Sequence, residues 1–472
     1  MTCSIASVGR ISLRWSSPLW ALLVFGGTAL SGEKPALVIR GGSVFDSVSG
    51  KMQPDRTIVI EEGRIKAIGS PDRPVTLPKG AQTIDARGKF LIPGLIDAHA
   101  HLVEHVSAPD GWTATKHPHL NGAEILPLFL GNGITSLRET GDPIVPQAAV
   151  AHYARAHPEQ SPRVFLCSPL LDADPPYHRV GLAVTEPARV PDVVEDMLGW
   201  NVTTLKIYVG TERPVGRKII EEGHRHGLVV TAHLGKYEAQ EAVVDGIDCL
   251  EHIWSVFNYI VPPEALKLPF PRSDLDLNNP KAKALIGMLA KRKVWVVPTL
   301  VVFRNMILLP DTDTVFKHPD NLLVPKRMLD YWHQYPLRSR LPSSTLKPRR
   351  RELQKYKDLV GMLYRAGVPL LAGTDTPCPY VPPGFSLHQE LELLVESGMP
   401  PAAVLQAATI QGARVLKQGD NLGSIEAGKL ADLVILDADP LADIRNTRKI
   451  NRVVRGGLVL DPKSVLKLVP TR

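Results

Sequence analysis

The sequence predicts an α/β protein: a (β/α)8 TIM barrel with a small β-sandwich domain built from both chain termini. Three observations predict it. The middle of the chain repeats an apolar strand followed by a helical stretch, the pattern of a parallel sheet with crossover helices. Both ends read instead as short alternating strands broken by Gly or charged turns. The length of 472 residues is too great for one small core but suits a barrel-sized domain with an accessory one.

In chain order, Arg10 and Arg14 precede the apolar run "SPLWALLVFGGTALSG", which ends in the small residues Ala29 and Ser31. That is the form of a signal peptide over 1–31, and it predicts export to the periplasm or outside the cell. The run contains Gly26 and Gly27 and is short for a bilayer, so no stable membrane span is expected after cleavage. Cys3 would leave with the leader. Cys167, Cys249 and Cys378 remain, too far apart to make a disulfide framework.

Segments 37–90 ("ALVIRGGSVFD", "TIVIEEGRIKAIG", "QTIDARGKFLIPG") and 431–460 ("ADLVILDADP", "INRVVRGGLVLD") carry the strand texture. They predict a composite β-sandwich domain over 32–90 and 405–472, leaving 91–404 for the barrel. Within the barrel the apolar strands are "LIDAHAHL", "ITSLRET", "RVFLCSP", "TTLKIYV", "LVVTAHL", "DCLEHI", "VWVVPTL" and "PLLAGTD". Eight is the number that closes such a barrel. Helices are predicted between them, for example over 190–200, 217–227 and 280–293, where apolar residues recur at helical spacing. The stretch 301–350, rich in Pro, Arg and His, interrupts the last two strands on the face where a barrel carries its chemistry, which suits a lid or specificity element.

Composition excludes some partners. Hydrophobic residues make up 44% and charged residues 22%, as in a globular protein. The net charge of +7 comes without any Lys/Arg run interleaved with aromatics, so no nucleic-acid partner is predicted. The basic stretch "KPRRRELQKYK" at 347–357 reads as a solvated helix start. A small-molecule substrate is the expected partner, and homo-oligomer formation is left open.

The C-terminal ends of the strands supply the chemistry. "LIDAHAHL" offers His99 and His101, whose side chains share one strand face; later strands offer Lys206, His233, His252 and Asp375. Each is embedded in Val, Ile and Leu, where an isolated polar group costs several kcal/mol unless paired or metal-bound. A metal satisfies all of them together. Imidazoles and carboxylates suit Zn²⁺ or a similar first-row ion, and two such ions can share a bridging ligand. Lysine is a poor ligand while protonated, but Lys206 carboxylated by CO2 is an anionic, bidentate bridge.

The ordered set His-x-His in "GLIDAHAHL", Lys in "LKIYV", His in "TAHL", His in "LEHIWS" and Asp in "LLAGTDTP" resembles the amidohydrolase superfamily. The segments "SLHQELELLVESGMPPAAVLQAATIQGARVL" and "NLGSIEAGKLADLVILDADPL" are similar to its imidazolonepropionase-like and Xaa-Pro dipeptidase-like branch. The resemblance spans nearly all of the chain after the leader. It implies one ion on His99, His101 and Asp375, another on His233 and His252, and carboxylated Lys206 between them. It further implies Asp375 as general acid/base in hydrolysis of an amide, of a dipeptide of Xaa-Pro type or of an N-acyl amino acid.

Other residues complete the expectation. Tyr208, two after Lys206, projects from the same face and can donate to an oxyanion. Arg138 in "SLRETG" and the pair His178 and Arg179 in "PPYHRVG" follow strands two and three, where a substrate carboxylate can bind. His117 and His119 flank Pro118 and read as solvated, and His388 and Glu390 read as structural. Alternatives on the same fold are a mononuclear deaminase or imidazolone-type hydrolase and a lactonase or phosphotriesterase. The deaminase pattern places a Glu near the fifth-strand His, which "TAHLGK" lacks, and generally lacks Lys206.

Overall fold

The N-terminal strands are β1 (Leu37–Asp46), β2 (Lys51–Glu61), β3 (Arg64–Gly69), β4 (Gln82–Asp85) and β5 (Phe90–Pro93). There follow β6 (Leu95–Ala100), β7 (Ile134–Glu139), β8 (Arg163–Phe165), β9 (Cys167–Asp172), β10 (Leu182–Ala183), β11 (Thr204–Ile207), β12 (Val229–Ala232), β13 (Cys249–Glu251) and β14 (Trp295–Val297). The chain closes with β15 (Leu433–Leu436), β16 (Ile450–Arg455) and β17 (Leu458–Leu460). These come from a computed structural model that describes residues 36–103, 122–267, 270–309, 317–334 and 342–470. The predicted leader, the pair His117 and His119 and parts of the 301–350 insert lie outside the described residues. Among the described residues, no helix is long and apolar enough to cross a membrane.

The two ends of the chain form one sheet in the order β17-β16-β15-β5-β1-β2-β3, with β4 beside β1. Its hinge is the antiparallel pairing of β15 with β5, in which Val434 faces Ile92. Alternation does the rest: Leu37, Ile39, Ile58, Ile60, Leu433 and Ile435 bury one face in a small core of their own.

The middle strands are parallel. β6, β7 and β8 pair in order, and β9, β11, β12, β13 and β14 pair in order; only Leu166 separates β8 from β9. The predicted eighth strand forms no regular strand. Its residues nevertheless bond to both flanks: Leu371 N donates to Val296 O at 3.0 Å, Ala98 N donates to Ala372 O at 2.9 Å, and Thr376 bridges Ala100. Pro369 has no N–H to give, which shortens the ladder at its start. Gly373 is required there because a Cβ would meet the His99 Cβ at 2.8 Å and the Val297 Cγ1 at 2.5 Å. Ile96, Ala98, Val229, Cys249, Val297 and Leu371 fill the space between the strands.

Helices pack on the outside, and the predicted ones appear over Val190–Gly199, Arg213–Arg225 and Pro280–Arg292. The basic stretch begins the helix Leu346–Arg365. The boundary expected at 404/405 falls inside the helix Pro401–Ala407, and Ala413, Val415 and Leu416 beyond it pack with Ile96 and Ala98. Those residues close the floor beneath the parallel strands.

Candidate metal centre

Parallel strands put all their C-terminal ends on one side, and His99, His101, Lys206, His233, His252 and Asp375 meet there. His99 lies in β6 with His101 just past it, Lys206 in β11, His233 after β12 and His252 after β13. His99 and His101 have ring centroids 5.5 Å apart; His252 lies 4.5 Å from His99 and 4.5 Å from His233. Liganding atoms of His99, His252 and Asp375 all lie within 4.8 Å of one another. His252 and Asp375 take left-handed backbone conformations, with φ of 62° and 61°. Such conformations cost on the order of 1–3 kcal/mol each in non-glycine residues and gather at functional sites.

Buried carboxylates orient the first two rings. His99 Nδ1 donates to Glu251 Oε2 at 2.6 Å, and His101 Nδ1 donates to Asp142 Oδ1 at 3.2 Å. A carboxylate only accepts, so each ring keeps its other nitrogen, Nε2, for the site. Both Nε2 atoms face Asp375 Oδ1, at 3.3 Å and 3.4 Å. His99 Nε2 makes no hydrogen bond despite its burial. Lone pairs converging on an anionic oxygen repel unless a cation or proton stands among them. Burial alone would lower the His101 pKa, but Asp142, Asp375 and Glu139 hold it well above the usual histidine range. Burial likewise favours neutral Asp375, yet His252, His101 and His99 hold it well below the usual carboxylate range. The donor set therefore fits a divalent ion at this point.

His101 also lies near Glu139, and with Asp142 they form a second group of metal-type donors. Those carboxylates already accept backbone bonds: Glu139 from Gly141 N at 3.0 Å and Asp142 N at 2.9 Å, Asp142 Oδ2 from Leu102 N at 2.7 Å and Val103 N at 2.8 Å. They fix the loop that aims His101.

The other half holds His233, Lys206 and Tyr208. His233 Nδ1 is buried and unbonded. Burial pushes the His233 pKa down to about 3, so the ring is a neutral donor. Lys206 is 1% exposed, and burial lowers its pKa against the opposing pull of Glu251 and Asp375. The Tyr208 ring is 5.2 Å from His233, and burial raises its pKa well above the ordinary value, so the phenol keeps its proton. His252 Nδ1 meets Thr299 Oγ1 at 2.8 Å, which fixes the remaining ring.

The predicted carboxylate binders divide. His178 is half-buried, with its ring 5.4 Å from Tyr208, and Arg179 is exposed beside it. Their loop is pinned by Asp172, which accepts from Ala173 N at 2.9 Å, Tyr177 N at 2.7 Å and Gly210 N at 2.7 Å. Arg138 is a correction. It is fully buried, Nε donates to Ala98 O at 2.7 Å, and NH2 lies 2.5 Å from Glu251 Oε1, so it neutralises Glu251 behind the site and does not reach a substrate. Glu251 also accepts from Thr231 Oγ1. Burial would raise the Glu251 pKa, but Arg138, Lys206 and His99 hold it well below the usual range.

Sequence reasoning missed Glu251, Asp142, Glu139, Thr299 and Asp97. Asp97 ties the two ends of the site together, accepting from Thr374 Oγ1 at 2.7 Å and His99 N at 3.2 Å. A signal for Glu251 was available: an acid directly before a strand-end histidine in "LEHI". His388 and Glu390 are structural, as expected: His388 Nε2 donates to Asn132 O at 3.1 Å, and Glu390 accepts from Leu300 N at 3.0 Å and Val301 N at 2.7 Å.

Comparison with known proteins agrees with this geometry. The family described as Amidohydrolase family matches residues 90–460. An adenine deaminase of Paracoccus denitrificans (strain Pd 1222) is 38% identical over 90 residues, a match covering 19% of this chain and 15% of that relative. Among solved structures, a Xaa-Pro dipeptidase with bound methionine superposes with a TM-score of 0.64 at 20% identity, covering 90% of this chain and 99% of the other. Bottromycin amidohydrolase does so with a TM-score of 0.70 at 23% identity, covering 92% and 89%. At these identities the structural likeness is one of fold.

Proposed function

The chain belongs to the amidohydrolase family, whose members are metal-dependent hydrolases of carbon–nitrogen bonds, and on that premise we propose an exported binuclear enzyme cleaving an amide in an Xaa-Pro type dipeptide or an N-acyl amino acid. One observation carries the reading: His99 and His101, with their Nδ1 atoms fixed by carboxylates, aim both Nε2 atoms at one oxygen of Asp375.

In this reading His99, His101 and Asp375 would hold one divalent ion and His233 and His252 the other, with Lys206, carboxylated by CO2, as their shared ligand. Zinc is the expected metal. Such ions supply a hydroxide near neutral pH and polarise the scissile carbonyl. Asp375 takes the proton of the attacking group and returns it to the leaving amine. Tyr208 donates its O–H to the oxyanion as it develops. Arg179 and His178, on the loop pinned by Asp172, receive the substrate carboxylate.

We read the segment 369–374 as the eighth strand that closes a barrel, and the terminal sheet as a separate β-sandwich domain. The predicted leader makes the compartment periplasmic or extracellular.

The likeness to an adenine deaminase favours a second reading, a mononuclear deaminase. Lys206 and the absence of an acid beside His233 weigh against it. Metal-loaded protein incubated separately with Xaa-Pro dipeptides, N-acyl amino acids and adenine separates the two. Release of free amino acid from either of the first two supports the amide reading; ammonia from adenine alone replaces it with the second.

A further inference from the structure

A second cavity lies at the opposite ends of the same strands. Its volume is about 450 Å³, within the usual range of small-molecule sites. Trp295 opens β14, whose continuation reaches Thr299, the partner of His252; Pro369 and Leu370 begin the segment that ends in Asp375. Thr299 lies two residues past the end of β14, and none of His99, His101, Lys206, His233, His252 and Asp375 lines the cavity. This cavity is therefore separate from the site described above.

Trp295, Tyr364 and Met399 supply apolar and aromatic wall, Gln406 and Gln411 add polar groups, and the charges are of one sign. Lys293 and Arg414 line it, with no Asp or Glu among the lining residues. Both cations are exposed, and neither is in an ion pair among the described residues. Lys293 is held in a left-handed conformation, φ 56°, at the end of the helix Pro280–Arg292, and Arg414 sits in the last turn of the helix Ile410–Val415. Basic residues at helix ends complement the helix dipole and alone would mean nothing. Here both line one ligand-sized cavity. An aromatic body would stack on Trp295 and Tyr364 while a carboxylate met the two cations.

We propose that this cavity binds an aromatic carboxylate at a site distinct from the metal centre. The test is calorimetric titration of the metal-loaded full chain with phenylacetate and indole-3-acetate, beside the neutral phenylacetamide. The expected result is one carboxylate per chain, with the amide bound at least about tenfold more weakly. Arg414→Gln and Lys293→Gln should each weaken the carboxylate about tenfold, leaving metal content, melting temperature and hydrolysis unchanged. No binding at millimolar carboxylate overturns the proposal, as does equal binding of the amide. Carboxylate binding that survives both substitutions also overturns it, because it places the molecule elsewhere, the metal centre included.

Discussion

His99 and Arg138 share one carboxylate: His99 Nδ1 donates to Glu251 Oε2 at 2.6 Å, and Arg138 NH2 to Glu251 Oε1 at 2.5 Å. All three side chains are buried, so the carboxylate both aims the ring and neutralises a guanidinium with no access to water. Glu251→Gln keeps the shape and removes the charge. Uncovering one member of a buried ion pair destabilises by about 3–5 kcal/mol, and losing a carboxylate behind a liganding histidine lowers metal affinity about 10–100-fold. Denaturant unfolding and metal titration should therefore both move. Unchanged stability would contradict the pairing.

Tyr208→Phe leaves the packing of a buried ring intact and removes one O–H. As an oxyanion donor its loss should lower kcat by about 100–1,000-fold with little change in KM. A kcat within a few-fold of wild type would mean that the ring only caps the mouth of the site.

Arg179 is exposed, so Arg179→Gln should fold normally. It should raise KM about tenfold for substrates with a free carboxylate and leave their carboxamides unaffected. Equal effects on acid and amide would remove Arg179 from carboxylate recognition.

His388 should make the fold acid-sensitive. Burial pushes its pKa down to about 3, below the unfolded value near 6.5. Unfolding therefore takes up a proton in that window. The contribution is fully present above about pH 6.5 and declines as pH falls toward 3, by up to about 1.4 kcal/mol per pH unit. Between pH 4 and 6.5 the stability of His388→Gln should fall less steeply than that of wild type. Parallel slopes would show that the ring titrates normally in the fold.

The six candidate ligands are legible as a group in the sequence because each is a polar residue at the end of an apolar strand, and parallel pairing brings such ends together whatever the loops do. The residues behind them are not. β7 is buried on both faces, so alternation gives no inside or outside for Arg138, and its guanidinium turns away from the substrate side. Asp142 and Glu139 read as an ordinary turn in "RETGD", since only the folded loop shows their oxygens meeting His101 and the backbone. The parallel order and the terminal sheet follow from hydrophobic period, whereas the eighth segment falls short of a regular strand because Pro369 and Gly373 fit the close contacts there better than they support a ladder.

The bridged centre is tested most directly by metal content per chain, measured by plasma emission on protein purified without chelator, for wild type and Lys206→Ala. Two ions are expected per wild-type chain, falling to one or none in the variant. A single ion, unchanged by the substitution, would contradict the bridged centre.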